Sequence, residues 1–71
     1  MLVDRKVLNR ADMNAFISSL GAVRVLNPSE HDSSYLRVIE CRNGLYVAIR
    51  QQLAGGLFDL HIYKGECPCA G

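Results

Sequence analysis

The 71-residue chain has no tryptophan, two prolines, and no surplus of either charge, with eight Lys and Arg against seven Asp and Glu. A nucleic-acid binder normally carries a basic excess, because neutralised phosphates supply most of its affinity. A mimic of nucleic acid carries the opposite excess, and this chain has neither. No apolar run approaches the ~20 residues that a membrane-spanning helix needs. The opening MLVDRKVLNRAD mixes charged with apolar residues and offers no small-residue cleavage site, so it does not read as a secretion signal. Three cysteines are an odd number, and two of them stand near the end, so they make no disulfide framework. The expectation from these absences is a complete small gene product in a reducing, cytoplasmic setting.

Catalytic and cofactor motifs are missing as well. Gly55-Gly56 is followed by a strand pattern rather than a helix, so it is not a phosphate-binding loop. There is no nucleophile elbow, no oxyanion motif and no pair of carboxylates at a workable spacing. A chain this short also struggles to enclose a pocket of a few hundred Å³. No enzymatic activity and no cofactor are expected.

What is present is an ordinary globular composition, 49% hydrophobic and 21% charged. A chain of this length forms one domain and buries only about 60% of its unfolded surface, so a partner or a second copy can contribute appreciably to its stability. The domain is expected to span 1–64. Residues 65–71, GECPCAG, have too few apolar side chains to pack and read as a flexible tail.

The organising stretch is SSYLRVIECRNGLYVAIRQQLAGGLFDLHIY, from Ser34 to Tyr63. Asn43-Gly44 and Gly55-Gly56 are hairpin signals that divide it into strands at Tyr35 to Cys41, Leu45 to Leu53 and Leu57 to Tyr63. Upstream, Asn9 is a favoured helix N-cap, with Asp12 three residues on and Leu8 and Met13 at the spacing of a hydrophobic staple. Met13, Phe16, Ile17 and Leu20 form one apolar stripe, and Gly21 suits the left-handed position after a helix. These predict a helix over Arg10 to Leu20. Ala22 to Leu26 reads as a strand, and NPSEHDSS as a polar loop opened by Asn27-Pro28. Met1 to Leu8 reads as a short edge strand or an extended arm, with the strand favoured.

Register follows from which side chains each hairpin opposes. A two-residue loop at Asn43-Gly44 would set Arg37 against Arg50 and turn Glu40 into the core. A three-residue loop, Arg42-Asn43-Gly44, pairs Cys41 with Leu45 and Ile39 with Val47, and it is preferred. A two-residue Gly55-Gly56 loop pairs Leu53 with Phe58, Gln51 with Leu60 and Ile49 with Ile62. The predicted core face is Ile39, Cys41, Leu45, Val47, Ile49, Leu53, Phe58, Leu60 and Ile62. The predicted outer face carries Leu36, Val38, Glu40, Tyr46, Ala48, Arg50, Gln52, Asp59, His61 and Tyr63. The fold class is α+β, a two-layer sandwich with one N-terminal helix on an antiparallel meander of about four strands.

Three surfaces compete for a function. On the outer face, Leu36, Val38, Tyr46, Arg50, His61 and Tyr63 combine aromatic, Arg and apolar side chains, which is the composition of a protein-binding patch. Tyr46, His61 and Tyr63 with Arg50 could instead stack single-stranded nucleic acid, an alternative opposed by Glu40 and Asp59 beside them. In the polar loop, Glu30, His31 and Asp32 offer a second recognition surface, since loops commonly carry binding contacts. Cys67 and Cys69 are weak zinc candidates, because a lone C-x-C lacks the second pair that metal sites usually show.

The functional expectation is a small non-catalytic protein-interaction module. Its size and lack of motifs suit an accessory protein of a phage or mobile element that inhibits a host enzyme or defence complex by binding its surface. A metal-binding regulator and a single-strand binder are the alternatives. Because one short helix covers one face of a sheet only, a homodimer is expected through the other face or through a free edge at the strand ending at Tyr63.

Overall fold

Asn9 both ends the first strand and caps the helix that follows. The computed structural model describes residues 1–26 and 35–65, so Glu30, His31, Asp32, Cys67 and Cys69 lie outside the described residues. Strand β1 is Leu2–Asn9, and helix α1 is Arg10–Leu20. The extended backbone of Asn9 lets its Oδ1 accept a 2.8 Å hydrogen bond from the Asp12 amide. That bond satisfies one of the amides left without a partner in the first helical turn. At the other end Gly21 turns left-handed, with φ 79°, and its N–H donates to the Ser18 carbonyl.

The remaining strands are β2 (Ala22–Leu26), β3 (Arg37–Cys41), β4 (Leu45–Leu53) and β5 (Leu57–Lys64). The sheet has five antiparallel-paired strands in the order β1-β5-β4-β3-β2, one more than the four expected. Met1 to Leu8 does form the edge strand that was favoured there: β1 pairs with β5 along its length, and Met1 and Lys64 exchange hydrogen bonds where the two meet. β5 is therefore an interior strand, and the expectation of a free edge at Tyr63 is overturned. The edges are β1 and β2, and α1 carries the chain from one to the other across one face of the sheet.

The first hairpin has the expected register. Arg42 to Gly44 turn the chain, Asn43 and Gly44 take positive φ, and Ile39 stands opposite Val47. The second hairpin differs from the expectation. Its turn is three residues, Ala54-Gly55-Gly56, and it sets Leu53 opposite Leu57. Both glycines are left-handed, as Asn43 and Gly44 are, so the two turns share one backbone form. A bulge between Ile49 and Gln51 then skips one residue, so Gln51 stands opposite Asp59 and Ile49 opposite Leu60, in place of the expected Gln51–Leu60 and Ile49–Ile62 pairs. The bulge keeps Ile49 in the core and rotates Leu53 out of it.

The main core lies between α1 and the sheet: Met13 and Ile17 from the helix, with Ile39, Cys41, Val47, Ile49, Phe58, Leu60 and Ile62 from the strands. Leu8, Phe16, Leu20 and Leu45 pack around it, half-buried. Burial raises the Cys41 thiol pKa, and the Glu40 carboxylate raises it further. The helix end is also tied to the first hairpin, because the Gly21 carbonyl accepts from the Arg42 amide at 3.0 Å. A methyl at Gly21 would meet Arg42 Cδ at 2.7 Å and push that side chain aside, and the left-handed φ of 79° adds its own preference for glycine.

Candidate functional site

Strand alternation sends Phe58, Leu60 and Ile62 toward α1 and leaves Asp59, His61 and Tyr63 on the opposite face. There Tyr46 stands opposite Tyr63, Ala48 opposite His61, and Val38 opposite Ala48. The outer face is not the open patch that was expected. Val38 and Ala48 have 0% exposure, with Tyr35, Leu26, Tyr46 and Tyr63 packed around them. The physical reason is size: Val38 and Ala48 are low enough for flanking aromatic rings to close over them. These residues form a second small core.

Tyr35, just ahead of β3, is the centre of this cover. Its ring meets the His61 ring edge-on at 6.1 Å and the Tyr63 ring at 6.4 Å. Its hydroxyl bonds the Tyr63 hydroxyl. The rings expected to stack bases are thus packed on one another.

Beside them lies a buried polar pair. Asp59 and His61 occupy alternate positions of β5, and each side chain is only 8% exposed. Their nearest approach, His61 Nε2 to Asp59 Oδ2, is 3.9 Å, too long for a hydrogen bond. Arg5, opposite His61 on β1, reaches Asp59 Oδ2 at 3.7 Å from a largely exposed position. Asp59 Oδ1 and His61 Nε2 are buried with no hydrogen-bond partner among the described residues. Each such atom costs about 1–3 kcal/mol in a folded protein. Burial lowers the His61 pKa; Asp59 pulls the other way, and Arg5 and Arg50 add to the lowering. The imidazole is therefore neutral at pH 7. The Tyr35 ring that packs against His61 carries a hydroxyl bonded to that of Tyr63.

The other predicted site residues scatter. Tyr46 and Tyr63 are half-buried, and Arg50 is exposed at the β4 bulge. Leu36 is exposed but leaves the outer face: it lines a groove of about 210 Å³ with Arg10, Met13, Arg37, Ile49 and Phe58. Val38 and His61 are too buried to touch a partner directly. Among the described residues no group of three His, Cys, Asp or Glu is placed to hold a metal ion. No helix among the described residues is long and apolar enough to cross a membrane.

Two features escaped sequence reasoning. One is the apolar character of the β1 edge: the strand was favoured at Met1 to Leu8, but not the exposure of Leu2, Val3 and Val7, each about half exposed. The other is the groove, whose two arginines lie 27 positions apart and had no pattern to join them. No family model, no characterised protein and no solved structure matches the chain.

Proposed function

We propose that this chain is a small, non-catalytic protein-interaction module that docks a partner along strand β1. The observation that carries the reading is the β1 edge itself. It is eight residues long, stands at the sheet margin, and shows Leu2, Val3 and Val7 to solvent. Natural proteins usually shorten, charge or cover such an edge, because its unpaired amides and carbonyls template the addition of another strand; here the charges Asp4, Arg5 and Lys6 occupy the middle of β1 and leave apolar side chains on either side. An extended segment of a partner that pairs with β1 would gain main-chain hydrogen bonds for affinity and apolar side chains for specificity. The other edge, β2, is only five residues long, and its Arg24 is engaged with Glu40 at 2.9 Å. In its sharper form the proposal is a phage or mobile-element accessory protein that inhibits a host enzyme or defence complex by covering its surface. Small size and the lack of a catalytic motif support that form.

Capture from extracts of the native host, with mass spectrometry, tests it. Wild type is expected to recover a defined partner that Leu2→Lys and Val7→Lys lose while melting like wild type. A partner retained by both variants would place the binding surface away from β1. Sedimentation at micromolar concentration separates the occupants, since a dimer abolished by the same substitutions makes the partner a second copy.

A further inference from the structure

The groove on the helix side of the sheet is a separate feature from the β1 edge, and its chemistry is distinct. Its floor is apolar, built from Met13 of α1, Ile49 of β4 and Phe58 of β5, with the exposed Leu36 as one wall. Its rim carries two arginines, Arg10 and Arg37. Neither is paired with a carboxylate: the ion pairs among the described residues involve Arg5, Lys6, Arg24 and His61. Arg10 instead lies over the Phe58 ring, 5.2 Å from its centroid, which orients its guanidinium above the apolar floor.

The position of Arg10 is unfavourable for the helix. It is the first helical residue, where the macrodipole disfavours a cation. Asp12, which offsets that effect, is about 200° around the helix from Arg10 and so faces away from it. The groove therefore combines an apolar floor with two cations that have no carboxylate partner among the described residues. A volume of about 210 Å³ is below the few hundred Å³ of a typical small-molecule pocket and suits one side chain. Guanidinium groups grip carboxylates with paired hydrogen bonds, and a dry apolar floor beside them strengthens that grip.

We propose that this groove binds the C-terminal residue of a peptide, with an apolar side chain on Phe58, Ile49 and Met13 and the terminal carboxylate between Arg10 and Arg37. Both requirements, an apolar group and an adjacent anion, come from the lining. The site is independent of docking at β1.

Titration of the ¹⁵N-labelled protein with acetyl-Leu-Phe bearing a free carboxylate tests the proposal. A ligand this small is expected to bind in the millimolar range. The amides of Arg10, Met13, Leu36 and Arg37 should shift together, while those of β1 stay still. The same peptide as its C-terminal amide should bind about tenfold more weakly or worse, and so should the free acid to Arg37→Gln and Arg10→Gln. Both arginines are exposed, and Arg37→Gln leaves the Arg10–Phe58 contact in place, so loss of binding in that variant is not loss of fold. Equal binding of acid and amide, equal binding by the variants, or no shift at the groove would overturn the proposal. Octanoate binding where the peptide does not would also overturn it, in favour of a free amphiphilic acid.

Discussion

The hydroxyls of Tyr35 and Tyr63, 28 residues apart in sequence, meet at 2.5 Å and join the chain entering β3 to the end of β5. The bond crosses above Val38 and Ala48, so it fastens the aromatic cover of the second core. Tyr63→Phe removes the bond and little else. It is expected to cost about 1 kcal/mol in denaturant unfolding. In a double-mutant cycle, adding Tyr35→Phe should cost less than it does alone, because the bond is already gone. Full additivity would mean that the two hydroxyls are not coupled.

Core substitutions on the two faces should now behave alike, whereas an open outer face would have made them differ. Ile39→Ala and Leu60→Ala are each expected to cost roughly 2–5 kcal/mol, enough to unfold much of so small a domain. Val38→Glu buries a charge in the second core and should unfold the protein instead of merely altering a surface. Val25→Ala, at an exposed position, should change stability by less than about 0.5 kcal/mol. Urea titrations followed by circular dichroism measure all four.

The buried His61 predicts a pH dependence. Its folded pKa is lowered from 6.5, so the unfolded chain binds the proton more readily. Its contribution is fully present above pH 6.5 and is lost as pH falls from there through the folded value. Melting temperature should fall across that window, and His61→Gln should flatten this part of the profile. A wild-type profile that is level from pH 7 to about 5.5 would contradict the assignment.

The terminal cysteines and Cys41 separate by chemistry. Cys41 is buried with a raised pKa, so it should resist alkylation in the native state and react on unfolding. If residues 65–71 are only a tail, Cys67→Ser with Cys69→Ser leaves the melting temperature unchanged, with or without chelator. A chelator-sensitive loss of stability in wild type, absent from that variant, would establish a metal site.

Local chemistry made much of this fold legible in the sequence. Asn9, Asp12 and Gly21 bound the helix because their side chains and backbone freedom act within a turn of where they stand. Asn43-Gly44 determines the first hairpin for the same reason, and a wrong register there would have put Glu40 in the core. The second hairpin was less legible. A bulge near Arg50 lets a three-residue turn keep Ile49, Leu60 and Ile62 inside, and hydrophobic alternation alone does not reveal an inserted residue. The candidate site was read least well. Whether Val38, Asp59 and His61 are open depends on where Tyr35 lies, and that is set by tertiary packing. The arginine-rimmed groove depends on a helix and a strand meeting, which no local pattern encodes.

The pairing of β1 with β5 also has a kinetic meaning. Of the five strands β1 is made first and its partner β5 last, and Met1 bonds to Lys64 across 63 residues of chain. Until Leu57–Lys64 is made, Leu2, Val3 and Val7 belong to a strand without its partner. Sheets closed by contacts this distant in sequence fold slowly, in milliseconds to seconds, because a long loop must be ordered before its pairing is formed. Chains released before β5 is complete would expose β1 on both sides, and such fragments should be the species most prone to aggregate. A permuted version of this 71-residue chain, opened at Gly55-Gly56 and joined so that β1 follows β5, should fold faster than the present order.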